Sequence, residues 1–121
     1  MDAAVKEALS KGGVIDITTR GRKTGEARRI EIAFHAIDGK VYISGYPRPQ
    51  KRRWLLNLEA NPKFTFHLKE TVQADLPASA RSITDESERR AVLQHVARTW
   101  GRDDMDVIVE QSPLVEVTFE E

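Results

Sequence analysis

The sequence has no cysteine, which excludes disulfides, thiol nucleophiles, thiolate zinc sites and iron–sulfur clusters. That absence agrees with a reducing compartment. No apolar run approaches the ~20 residues a membrane helix needs. The opening Met1-Asp2-Ala3-Ala4-Val5-Lys6-Glu7 lacks the apolar core of a signal peptide, so a soluble cytoplasmic protein with no transmembrane segment is expected. The three histidines, His35, His67 and His95, stand far apart in sequence and have no Cys partner, so no metal site is expected. His35 is expected to face solvent and His67 to lie on a strand surface. Nucleophile elbow, Walker loop and dinucleotide fingerprint are all missing, as are internal repeats, low-complexity tracts and linkers. The 121 residues suit a single domain over residues 1–121, long enough to bury a core without covalent or metal staples.

Net charge is absent too, with 19 Lys and Arg against 19 Asp and Glu. The balance conceals an uneven distribution. Residues 20–53 carry ten basic and three acidic side chains, a local charge of +7, whereas residues 54–121 carry seven basic and thirteen acidic ones. A basic third within a neutral chain often marks a surface that meets an anion, while overall neutrality argues against a dedicated nucleic-acid protein.

Hydrophobic periodicity gives the elements. Residues 2–11 read as a short helix, with Val5 and Leu9 one turn apart and Gly12-Gly13 ending it. Residues 14–19 are rich in β-branched side chains and read as a strand. From Arg28 to Ile37 the residues Ile30, Ile32, Phe34 and Ala36 alternate with Arg29, Glu31 and His35, a period of two. Asp38-Gly39 then turns the chain into a second strand, residues 41–44, as a hairpin. A loop with Pro47 and Pro49 leads to a helix from about Lys51 to Ala60, burying Trp54, Leu55 and Leu58 and ended by Pro62. Phe64, Phe66 and Leu68 mark a strand, and its partner runs from Val72 to about Ile83 with an interruption expected at Pro77. Thr84 or Asp85 caps a helix whose stripe is Val92, Leu93, Val96, Ala97 and Trp100, with Gly101 at its end. Residues 105–110 suggest another helical turn, and residues 114–119 a closing strand. About six antiparallel strands in hairpin order with interspersed helices imply a mainly β architecture, a small barrel with helical flaps.

Two basic features stand out as candidate sites. Thr18-Thr19-Arg20-Gly21-Arg22-Lys23-Thr24-Gly25 lies between the first two strands. Its glycines allow amide N–H groups to converge on an anion; Arg22 suits a bidentate contact, Lys23 a point charge, and Thr24 offers a hydroxyl. A solvated hairpin turn is the plain alternative. Arg48, Lys51, Arg52 and Arg53 form a second group at the mouth of the short helix, with a solvated helix end as its alternative. Together the two groups suit an extended anionic ligand.

The stretch from Thr18 to Arg28 resembles a signature of the deazaflavin (coenzyme F420)-dependent nitroreductase and quinone reductase family. So does Trp54-Leu55-Leu56-Asn57-Leu58-Glu59-Ala60-Asn61-Pro62, about thirty residues later. The resemblance covers about residues 14–83. It implies a split β-barrel of FMN-binding type that reduces quinones, nitro compounds or other activated acceptors with hydride from the reduced deazaflavin. It also implies that Arg22, Lys23, Thr24, Gly25 and Arg28 help hold the cofactor's phosphate and acidic tail, and that Trp54 and Asn57 border the cofactor. Trp54 is equally suited to the core, and Asn57 to a helix or loop hydrogen bond. The similar proteins often carry Ser-Lys-Gly-Gly where this chain has Ser44-Gly45-Tyr46-Pro47-Arg48, so that Ser44 joins the candidate site and Arg48 or Lys51 is the expected substitute for the missing lysine. No catalytic side chain is named, because in hydride transfer the cofactor carries the reactive atom. The expected partner is a small-molecule electron acceptor, and a homodimer stays open by analogy of fold. Two rival readings remain: an FMN-binding flavoprotein of the same fold, and a non-enzymatic binder of a cofactor or other ligand.

Overall fold

The computed structural model describes residues 1–120. The element order is α1 (Ala3–Leu9), β1 (Gly13–Arg20), β2 (Ala27–Ile37), β3 (Lys40–Ser44), α2 (Arg53–Ala60), β4 (Lys63–Leu68), β5 (Ala74–Ser82), α3 (Glu86–Trp100), α4 (Met105–Gln111) and β6 (Leu114–Phe119). The strands close into a six-stranded antiparallel barrel in the order β1-β2-β3-β6-β5-β4, with β4 returning to pair with β1. The expected barrel with helical flaps is thus the fold observed.

Alternation along each strand decides what faces inward. Ile15 and Ile17 of β1, Phe34 of β2, Ile43 of β3, Phe66 of β4 and Val115 of β6 fill the interior. Phe66 is fully buried, with Phe34 and Phe119 edge-on to it at centroid distances of 5.2 and 5.0 Å. Val5 and Leu9 of α1, and Trp54, Leu55 and Leu58 of α2, join this core. A second core lies outside the barrel, where Tyr42 and Leu114 meet Val92, Leu93, Val96 and Ala97 of α3 and Ile108 and Val109 of α4. β3 is therefore buried on both faces.

Local chemistry sets the element ends. Asp2 accepts from the Ala4 amide at 2.7 Å to start α1, Asp85 accepts from the Glu88 amide at 2.9 Å to start α3, and Gly101 ends α3 in the left-handed region at φ 69°. Asp38 and Gly39, both at positive φ, make the tight β2–β3 turn. α2 begins at Arg53, two residues later than expected from Lys51, because Arg52 is extended.

Two expectations need correction, those for Pro77 and His35. Pro77 does not interrupt β5: it pairs with Thr65 of β4, and its carbonyl accepts from the Glu120 amide at 3.0 Å. Its nitrogen faces the same side, opposite Glu120 just past the end of β6, so the missing N–H falls at the end of the β5–β6 ladder and not within it. His35 does not face solvent. It is buried beneath α3, edge-on to Trp100 at 6.2 Å, and burial pushes its imidazole below the ordinary value. His67 does lie on the outer strand surface, but buried: its ring nitrogens bond Thr18 Oγ1 and Asp75 Oδ1, each at 2.7 Å, bridging β1, β4 and β5.

Candidate functional site

The connection between β1 and β2, residues 21–26, is folded by its own backbone. The Gly21 amide donates to the Glu26 carbonyl and the Gly25 amide to the Gly21 carbonyl, each at 2.8 Å. The Glu26 amide donates to Thr24 Oγ1 at 3.2 Å. Gly25 sits at φ 72°, which favours glycine. Gly21 serves by size instead, since a Cβ there would stand 3.0 Å from Thr24 Oγ1. The convergence of amides expected from the glycines is therefore partial. Three amides are used within the turn, and among the described residues those of Lys23 and Thr24 are left with no protein acceptor.

The Arg22 amide has a different partner. It donates to Oδ1 of Asn57 at 3.1 Å, and the Asn57 Nδ2 donates to Thr19 Oγ1 at 3.2 Å. Asn57 and Thr19 are both buried. One α2 side chain thus fixes the end of β1 and the start of the turn, across 35 positions of sequence.

Between turn and helix lies a groove of about 740 Å³, lined by Thr19, Gly21, Arg22, Lys23, Thr24, Arg28, Ile30, Arg48, Arg52, Arg53, Trp54 and Asn57. Six of these are cations and none is a carboxylate. Elsewhere most cations are paired with carboxylates: Lys69 reaches Asp16 at 2.7 Å, Arg29 the same Asp16 at 3.0 Å, Arg81 bridges Glu88 and Glu116, and Arg90 meets Asp106 at 3.1 Å. In the groove only Arg28 has such a partner, Glu26 at 3.2 Å. Among the described residues Arg22, Lys23, Arg48, Arg52 and Arg53 have none. Trp54 is nearly buried and serves as both core residue and groove wall.

Of the residues singled out from sequence, Arg22, Lys23, Thr24, Arg28, Arg48, Trp54 and Asn57 come together here. Gly25 shapes the turn without lining the groove. Ser44 is buried at the end of β3, its hydroxyl donating to the Pro113 carbonyl at 2.6 Å. Lys51 points the other way, to Glu59 at 3.2 Å, and lines a neighbouring cavity of about 430 Å³. Arg52 and Arg53 of the second basic group and Thr19 of the turn stretch also line the groove, and Ile30, expected only as an inward strand residue, joins them. Within α2, Arg53 and Trp54 stand four and three residues before Asn57 and so share its face, which is the signal that links Arg53 to the Trp54–Asn57 motif.

At the position after Ser44 stands Gly45, and the guanidinium of Arg52 lies over it. Arg52 donates to the Tyr46 carbonyl, and a Cβ on Gly45 would stand 3.2 Å from Arg52 Cζ. Burial, with the Arg48 charge adding to it, pushes the Arg52 guanidinium below the usual arginine value; it remains a cation at any working pH.

Comparison with known proteins agrees with this architecture. A sequence model of the F420H(2)-dependent quinone reductase family matches residues 1–118. A solved F420-H2 dependent reductase, FDR-A, superposes with a TM-score of 0.65 at 21% identity, over 87% of this chain and 93% of its own. A conserved hypothetical protein from Mycobacterium tuberculosis superposes with a TM-score of 0.73 at 16% identity, over 100% of this chain and 82% of its own. An FAD-binding protein from Mesorhizobium loti does so with a TM-score of 0.65 at 13% identity, over 100% and 91%. At these identities the solved structures show a common barrel. The family match over nearly the whole chain shows more: the chain belongs to the F420H2-dependent quinone reductase family and is an oxidoreductase of that kind.

Proposed function

We propose that the groove between the 21–26 turn and α2 holds the deazaflavin F420 by its phosphate and acidic tail, and that the protein uses it to reduce quinones. The observation that carries this reading is the excess of positive charge: six cations line one groove of a chain that is neutral overall, and among the described residues five of them have no carboxylate partner. Such a donor set fits a multiply anionic ligand, because each anion placed there relieves repulsion among cations as well as gaining its own attraction.

When bound, the reduced deazaflavin supplies the hydride. The work of the chain's own residues is binding, orientation and exclusion of water. Arg22, Lys23 and Arg28 hold anionic oxygens from the turn side, Arg48, Arg52 and Arg53 from the helix side, and the free amides of Lys23 and Thr24 add short donors. Asn57 acts through the turn, which it holds in a fixed place before the ligand arrives. Trp54 and Ile30 give the groove an apolar wall.

Anaerobic assay with F420H2 tests the substrate assignment, following loss of the reduced cofactor with menadione, with a nitroaromatic compound and with neither. Turnover that depends on menadione is the expected result. Turnover with the nitro compound alone moves the acceptor class, and turnover with neither rejects the assignment.

A further inference from the structure

The six groove cations are not equivalent. Arg22, Lys23, Arg28, Arg48 and Arg53 are exposed, whereas Arg52 is half-buried. Arg52 has given up part of its hydration, has no carboxylate partner among the described residues, and lies close enough to Arg48 for repulsion. Its one acceptor among the described residues is the neutral carbonyl of Tyr46. A guanidinium carries five N–H donors in a fixed fork, so most of that donor capacity is left for a ligand. It stands in the wall shared by the groove and the adjoining cavity of about 430 Å³.

What holds Arg52 there is an absence. Gly45 does not adopt a left-handed backbone, so conformational freedom does not explain a glycine at this position. Space does. A Cβ on Gly45 would meet Cζ and Nη2 of Arg52 at 3.2 Å and Nε at 3.3 Å, closer than ordinary van der Waals contact. The guanidinium fills the place that a side chain on residue 45 would take. Arg52 is extended, at φ −71° and ψ 148°, and so precedes α2, and its guanidinium reaches back to residues 45 and 46.

We infer that Arg52, laid over Gly45, is the groove's inner anion-binding residue, taking a phosphate or carboxylate oxygen pair of the bound ligand, and that residue 45 is glycine to make room for it. This inference rests on the groove being a site for an anionic cofactor. Gly45 is then a positioning residue whose effect passes entirely through Arg52.

The test is a double-mutant cycle on the intact protein: wild type, Gly45→Ala, Arg52→Ala and the double variant. F420 is titrated by tryptophan fluorescence and pyrophosphate by thermal shift. Arg52→Ala is expected to weaken F420 binding roughly ten- to hundred-fold, as for loss of a charge-assisted contact, with the unliganded melting temperature near that of wild type. Gly45→Ala is expected to weaken binding several-fold in the wild-type background and not at all in the Arg52→Ala background. Equal weakening by Gly45→Ala in both backgrounds, or wild-type affinity in Arg52→Ala, overturns the inference. Pyrophosphate separates this from the cofactor reading. Should wild type ignore F420 while pyrophosphate still raises its melting temperature through Arg52, the cofactor assignment fails and the role of Arg52 stands.

Discussion

Replacing Asn57 with alanine tests how the site is built. Its side chain accepts from the Arg22 amide at 3.1 Å and donates to Thr19 Oγ1 at 3.2 Å, in a place shielded from water. Each buried hydrogen bond contributes about 0.5–1.5 kcal/mol net, so losing both costs about 1–3 kcal/mol. For a domain of this size that corresponds to a fall in melting temperature of about 5–10 °C. The variant also releases the turn, which must then be ordered by the ligand. Fixing one or two backbone residues costs about 1–2 kcal/mol each, so F420 affinity is expected to drop roughly ten-fold or more. Arg22→Ala is the control. The exposed Arg22 side chain has no protein partner among the described residues, while its amide still reaches Asn57; that variant should lose affinity and keep its melting temperature. Differential scanning calorimetry and fluorescence titration read the two quantities separately. An Asn57→Ala protein that melts and binds like wild type refutes the idea that this side chain organises the groove.

Three further outcomes follow from the packing and the charges. Phe66→Ala empties the centre of the barrel, where Phe34 and Phe119 pack edge-on, and should cost about 3–5 kcal/mol in urea unfolding. His35 is held neutral by burial, its pKa below the ordinary 6.5. The unfolded chain therefore takes up a proton near pH 6.5 that the folded protein refuses, and stability falls as pH drops below that value. His35→Phe removes this loss and the unpartnered buried Nε2, so its melting temperature should vary less than that of wild type between about pH 6.5 and 5; parallel curves would contradict it. Asp16, Asp75, Glu88 and Asp104 are held below the usual carboxylate range by hydrogen bonds to Lys69, His67, Arg81 and Arg102. Their contribution is present above the ordinary carboxylate values and lost as pH falls through the lowered ones, so acid unfolding at still lower pH should persist in His35→Phe.

Much of the barrel is written in local pattern. The alternation from Arg28 to Ile37, the Asp38-Gly39 pair and the Asp85 to Gly101 helix each depend on residues adjacent in sequence, and each stands where the sequence puts it. The errors share a different cause. Pro77 is tolerated because of where β6 ends, and His35 is buried because α3 folds across β2; both depend on elements distant in the chain. The groove divides in the same way. The basic turn and the Trp54–Asn57 motif are visible as residue types, and they do converge. That Asn57 spends its amide on the Arg22 backbone, that Ser44 bonds inward to Pro113, that Lys51 turns to Glu59 and that Arg52 folds back over Gly45 are tertiary facts. A cluster such as Arg48, Lys51, Arg52 and Arg53 shows how much positive charge is present, while the neighbours decide which members remain unpaired.

Parallel titration with F420 and FMN, followed by intrinsic tryptophan fluorescence, tests the central assignment most directly. Wild type is compared with the Arg22→Ala/Lys23→Ala variant. Tight binding of F420 to wild type, lost in the variant and weakened by added salt, is the predicted result. Binding of FMN in place of F420 moves the protein to a flavin cofactor, and binding of neither contradicts the account of the groove as a cofactor site.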